Sequence, residues 1–166
     1  LDNAEYFAGH SLGEYSALAC SKVIKFIDTI KLLQIRGKAM QNAVPKGEGG
    51  MVAILGEDIK KINELIENNK SKSECFLAND NSNGQIVVSG SSNNLNELIL
   101  DLKKNSIKNI KLPVSAPFHC SLISNATKIM DKELEKINFQ KGNNILISNV
   151  TAEEILDIAQ LKRLLI

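Results

Sequence analysis

Apolar residues recur along this chain with two spacings, one suited to helices and one to short strands. Tyr6-Phe7-Ala8 reads as the tail of a buried strand, and Glu14-Tyr15-Ser16-Ala17-Leu18-Ala19-Cys20 reads as a helix just after it. Phe26, Ile30, Leu33, Gly37 and Met40 follow at three- and four-residue steps and predict a long amphipathic helix over 26–44. Pro45-Lys46-Gly47-Glu48-Gly49-Gly50 interrupts that pattern and marks the clearest boundary in the chain.

The next segment has its own rhythm. Met51–Leu55 predicts a strand, and Ile59, Ile62, Leu65 and Ile66 a helix. Cys75–Ala78 and Ile86-Val87-Val88 predict two strands joined by a turn-rich loop over Asn79–Gly84. Leu95, Leu98, Ile99 and Leu102 fall at i, i+3, i+4 and i+7, a second helix, and Ile107–Leu112 closes the set as a strand. The order βαββαβ predicts a ferredoxin-like, split-βαβ subdomain over 47–112. Beyond it, Ser115-Ala116-Pro117-Phe118-His119 is a loop, and Leu122, Ala126, Ile129, Met130 and Leu134 mark a helix. Asn144–Ser148 predicts a buried strand, and Ala152–Leu165 a final helix. The expected fold class is α/β. An α/β-hydrolase-like parallel sheet core, incomplete and built from 1–46 and 113–166, carries the inserted subdomain.

Composition changes this picture little. The 166 residues suffice for one good core or for a small domain set into part of another. A net charge of +1 provides no field to recruit nucleic acid or an anionic membrane. No apolar run approaches the roughly 20 residues that span a bilayer, and no secretory signal pattern is read. Cys20, Cys75 and Cys120 are odd in number and widely spaced, which argues against a disulfide framework or a structural zinc. The expectation is a cytoplasmic protein with no metal.

Chemistry enters at Gly9-His10-Ser11-Leu12-Gly13, a G-x-S-x-G pattern. Such a pattern sets a serine on a sharp strand-to-helix turn, with its hydroxyl exposed and the following N–H groups aimed at an incoming carbonyl oxygen. Two histidines could serve as base. His10, adjacent to the serine, should point to the other side of the turn. His119 lies in a loop that opens a helix, and the order serine then histidine agrees with hydrolase-like sites. A loop histidine with only an ordinary hydrogen bond is an equally open reading. Arg36 and Arg163 are the only arginines in a lysine-rich chain. Arg36 shares a helix face with Leu33 and Met40, and its planar fork suits a substrate carboxylate. An ion pair with Glu14 or Asp28 is the other reading, which side-chain physics alone slightly favours. Asn79 and Asn81 could line a cleft between the two units, whereas Asn83 and Gly84 are what a tight turn uses. Cys120, beside His119, is better suited to packing than to chemistry.

Taken together, these segments resemble one family. Gly9–Leu18 closely resembles the nucleophile segment of malonyl-CoA:acyl-carrier-protein transacylases. Arg36–Gln41 resembles that family's substrate-arginine helix, and Gly50–Gly56 the strand entering its small subdomain. Asn79–Gly90 is similar to its Asn-rich loop, and Pro113–Leu122 to its histidine loop. The resemblance implies transfer of a malonyl group from coenzyme A to acyl carrier protein through a malonyl-Ser11 ester, with no cofactor. His119 would move the proton, and the Leu12 N–H would be one oxyanion donor. Arg36 would hold the malonyl carboxylate, while His10, Asn79, Asn81 and Phe118 would border the substrate. Phe118 beside the histidine goes, in related acyltransferases, with malonyl rather than branched acyl groups. The resemblance also implies a central portion of the enzyme. A Gly-Gln-Gly turn with the second oxyanion donor would precede it, and a Gly-Pro-Gly segment with the histidine-orienting carbonyl would follow. Two other readings stay open: a fragment that only binds carrier protein, and a plain serine esterase. Arg36 speaks against the esterase, since a neutral ester has no carboxylate to pair.

Overall fold

A computed structural model describes residues 3–67 and 73–166. The chain is α/β, with one parallel and one antiparallel sheet. It packs as two compact units, Leu1–Lys38 with Thr127–Ile166, and Ala39–Ala126. Among the described residues no helix is long and apolar enough to cross a membrane.

In the first unit, β1 (Tyr6–Ala8) runs parallel to β6 (Ile145–Ile147), with Ala8 opposite Ile147. Between them in sequence come α1 (Leu12–Cys20) and α2 (Phe26–Asn42); α5 (Ser124–Glu135) precedes β6, and α6 (Ile158–Leu164) follows it. Tyr15 and Leu18 of α1 join Leu32, Leu134, Leu146 and Leu161 in the core of this unit.

The structure departs from several of these expectations. The strand β1 is not buried: Tyr6 and Ala8 are exposed, because among the described residues its only strand partner is β6. The α2 stripe is also displaced. Met40 is buried and Leu33 packs against the core as expected, but Phe26, Ile30 and Gly37 face outward, whereas Thr29, Leu32 and Ala39 are buried. The spacing was helical, but the packed face lies about one residue round the cylinder. The helix ends at Asn42 rather than Val44, in keeping with the bar that Pro45 places on helical geometry just before it. The last helix begins at Ile158, six residues later than expected. A reciprocal cap sets that start: Asp157 accepts from the Gln160 N–H at 2.7 Å, and the Gln160 amide oxygen accepts from the Leu156 N–H at 2.8 Å. Residues 148–154 are held instead as a turn, bridged back to the sheet at Ile147–Glu154.

The second unit has a four-stranded sheet in the order β3-β4-β2-β5, every pair antiparallel. Its elements are β2 (Gly49–Leu55), α3 (Ile59–Glu67), β3 (Cys75–Ser82), β4 (Gln85–Ser91), α4 (Ser92–Lys104) and β5 (Lys108–Lys111). The period of two along β2 separates two faces. Val52 and Ile54 meet Ile62, Leu95, Leu98 and Leu102 of the helices. Met51 and Ala53 face the other way, packed with Val87, Val114 and Phe118. The helices thus cover one side of the sheet and the loop carrying His119 packs on the other.

The expected loop over Asn79–Gly84 shrinks to two residues. Asn79–Ser82 belong to β3, where Asn79 pairs with Val87 and Asp80 with Ile86. Register shifts between Leu77 and Asn79, and between Asp80 and Ser82, let this Asn-rich stretch stay in the ladder. Only Asn83-Gly84 turns, with Gly84 at φ 79° and its carbonyl accepting from the Gly56 N–H at 2.7 Å. The helix expected from Leu122 opens as one 3-10 turn, Ser121–Ile123, and buries Ile123, while Ile129 is exposed.

Candidate active site

Ser11 stands between β1 and α1 with φ 53° and ψ −108°. A serine gains nothing intrinsically from that conformation, which costs on the order of 1–3 kcal/mol and persists only where neighbours enforce it. The enforcement is visible. The Gly13 N–H donates to the His10 carbonyl at 2.9 Å, and the Glu14 N–H donates to the Ser11 carbonyl at 3.1 Å. Gly9 is needed for the turn to close, since a Cβ there would collide with the Gly13 carbonyl; Gly13 itself faces open space. The Ser11 hydroxyl makes no capping bond to α1. Arg36 reaches it from α2, its Nη2 donating to Ser11 Oγ at 3.0 Å.

Arg36 is held in turn over the Tyr15 ring, 5.7 Å from its centroid. Neither carboxylate considered from sequence pairs with it: among the described residues no ion pair joins Arg36 to Glu14 or Asp28. Glu14 acts through space. It is buried, and burial pushes its carboxyl above the usual carboxylate range, while the Asn149 N–H and the Arg36 charge pull it back. Burial likewise pushes the Tyr15 phenol up to about 12, despite the Arg36 charge. Tyr15 therefore stays neutral as a platform for the guanidinium.

Asn149 is a residue the sequence reading did not single out. Its Oδ1 accepts from the Ser11 N–H at 2.6 Å, and its own N–H donates to Glu14 Oε1 at 3.1 Å. The available signal was Ser148-Asn149-Val150-Thr151 directly after a strand, a run whose side chains fold back on their own backbone. Ser148 Oγ does so, accepting from the Val150 N–H at 3.1 Å.

The other expected residues divide between the units. Leu12 follows Ser11 as the first residue of α1, with an exposed side chain, and His10 is exposed at the turn. His119 lies in the second unit at φ 57°, a left-handed value uncommon for a residue with a Cβ. The loop around it is pinned. Ser89 Oγ donates to the Phe118 carbonyl, and the Phe118 side chain packs beside Met51 and Val87. Phe118 and Ser115 also border an open cavity of about 580 Å³ with Gln41, Lys46 and Lys111. Cys120 Sγ donates to the Pro117 carbonyl at 3.1 Å, and burial pushes its thiol up, which makes it a poor nucleophile. Asn79 is half-buried in β3, and exposed Asn81 is the extra residue at the second register shift.

A family model described as an acyl transferase domain matches residues 3–159. The malonyl CoA-acyl carrier protein transacylase of Salmonella typhimurium is 39% identical over 160 residues, covering 96% of this chain and 52% of the relative. The crystal structure of the Clostridium perfringens transacylase is 45% identical with a TM-score of 0.90, covering 95% of this chain and 50% of the other. A malonyl-transacylase solved in complex with its type II PKS acyl-carrier protein is 34% identical with a TM-score of 0.91, covering 97% and 52%. The chain spans about half the length of the curated relatives it matches. A serine held on a strained strand-to-helix turn beside a guanidinium, and a family match over nearly all of its length, lead to one conclusion: this chain belongs to the acyl transferase domain family.

Proposed function

We propose that the protein carrying this chain transfers a malonyl group from coenzyme A to the phosphopantetheine thiol of acyl carrier protein, in fatty-acid synthesis. The observation that carries this reading is the Arg36 guanidinium 3.0 Å from Ser11 Oγ. An acyl group esterified to Ser11 would extend into reach of that fork, and malonyl ends in a carboxylate that can pair with it. Acetyl has no such group and would leave the guanidinium unpaired. The relatives named malonyl transacylase, one of them solved with its acyl-carrier protein, support the same substrate class and partner.

In this reading Ser11 Oγ attacks the thioester carbonyl while His119 takes its proton, and the Leu12 N–H stabilises the oxyanion. The C–S bond breaks, and the coenzyme A thiolate leaves with the proton from His119. The carrier-protein thiol then gives its proton to His119 and attacks the malonyl ester, and the proton returns to Ser11 Oγ. No cofactor is required. His10, Asn79, Asn81 and Phe118 border the substrate. The finer fold reading belongs to the proposal too: 1–46 with 113–166 form a partial α/β-hydrolase-like core, and 47–112 a ferredoxin-like subdomain. The β3-β4-β2-β5 order supports the latter.

Steady-state transfer of labelled malonyl to holo-acyl carrier protein by the whole protein tests the proposal. Initial rates should follow ping-pong kinetics, and Ser11→Ala should abolish transfer while His119→Ala slows it at least 100-fold. A Ser11→Ala variant with wild-type transfer would refute the reading.

A further inference from the structure

We propose that Asn149 and Glu14 are positioning residues for Ser11, acting as a closed ring of three hydrogen bonds that holds the serine in its strained conformation. The inference rests on Ser11 being the nucleophile. The ring is complete: the Ser11 N–H donates to Asn149 Oδ1 at 2.6 Å, and the Asn149 N–H donates to Glu14 Oε1 at 3.1 Å. The Glu14 N–H closes it by donating to the Ser11 carbonyl at 3.1 Å. Both peptide groups flanking the Ser11 Cα are thereby fixed, one through its N–H and one through its C=O.

The topology explains why Asn149 can do this. Strands β1 and β6 are parallel neighbours, so the turn after Ala8 and the turn after Ile147 leave the same end of the sheet. Carboxyl ends of adjacent parallel strands are where such sheets build sites. Ser148, itself buried, pins the second turn and so presents Asn149. Glu14 is buried on α1 and spends its carboxylate on a backbone N–H. A side chain needed only for solubility would not be placed there. The ring sets φ and ψ at Ser11, and so decides where Oγ and the Leu12 N–H point.

The test uses Asn149→Ala, which deletes the acceptor, and Asn149→Asp, which keeps an oxygen in its place. Amide hydrogen exchange by NMR reads the ring directly. Protection of the Ser11 amide should drop about tenfold in Asn149→Ala and return in Asn149→Asp. Acylation of Ser11 by malonyl-CoA should show about a tenfold lower rate constant in Asn149→Ala, with KM within about twofold, and recovery in Asn149→Asp. Glu14→Ala, which removes the acceptor of the Asn149 N–H, should lower the acylation rate constant about tenfold, and Glu14→Gln, which keeps a carbonyl oxygen there, should recover most of that loss. A wild-type rate in Glu14→Ala would overturn its place in the ring. An unprotected Ser11 amide in wild type, or unchanged exchange and acylation in Asn149→Ala, would overturn the proposal. So would equal losses in the Ala and Asp variants, which would reduce Asn149 to a structural role. If Ser11 proves protected as expected yet malonyl-CoA never acylates it, the malonyl reading fails while the ring stands. Labelling of Ser11 by a fluorophosphonate then reads the same tenfold difference between variants.

Discussion

Glu14 is a buried carboxylate whose partners are a backbone N–H and a nearby guanidinium, and its pKa is raised mainly by burial. Its contribution to stability therefore has a definite sign. A carboxyl that holds its proton more tightly folded than unfolded stabilises the fold at low pH, and that contribution is lost as pH rises through the folded value. Urea denaturation of wild type and Glu14→Gln, from about pH 4 to 8, should show the wild type losing ground to the variant as pH rises. A difference that stayed flat, or ran the other way, would mean the carboxylate is better compensated than its surroundings imply. Residue by residue, Ser11, Arg36 and His119 stand out in the sequence as candidates, because each is rare or sits in a recognisable pattern. Asn149 was hidden, since nothing in one sequence says that residue 149 lies beside residue 11. That proximity comes from the β1–β6 pairing, a fact of topology rather than of local pattern.

At the level of elements, the strand–turn–helix around Ser11 depends on the backbone of Gly13 passing where any side chain on residue 9 would stand. Gly9→Ala should therefore cost at least about 2 kcal/mol, because the obstacle is backbone and cannot rotate aside. Gly13→Ala meets open space and should cost about 1 kcal/mol or less. Thermal and urea unfolding of the two variants check the contrast, and equal effects would contradict it. The elements read best from sequence were those whose apolar period meets a packing partner among the described residues. Leu95, Leu98 and Leu102 of α4 are all fully buried. Misreadings came where pairing or capping outweighed local preference. Asn79–Ser82 disfavour strand by composition, yet the ladder to β4 holds them extended. The α6 start was set by the Asp157–Gln160 cap and not by the apolar pattern upstream.

For the whole molecule, the chain's two compact units part within helices α2 and α5, at Lys38/Ala39 and Ala126/Thr127. No proline or turn cluster marks either point, because a continuous helix can leave one packed unit and enter another without any change in its own hydrogen bonding. Ser11, Arg36, Glu14 and Asn149 belong to the first unit, and His119, Phe118, Asn79 and Asn81 to the second. The most direct test of the central claim is peptide mass spectrometry of the whole protein after brief exposure to an equimolar mixture of malonyl-CoA and acetyl-CoA. Wild type should carry malonyl on Ser11 and almost no acetyl, and Arg36→Ala should shift that ratio toward acetyl by at least about 100-fold, the worth of a lost charge-assisted pair. Label on another residue, or a malonyl preference unchanged in Arg36→Ala, would contradict the account.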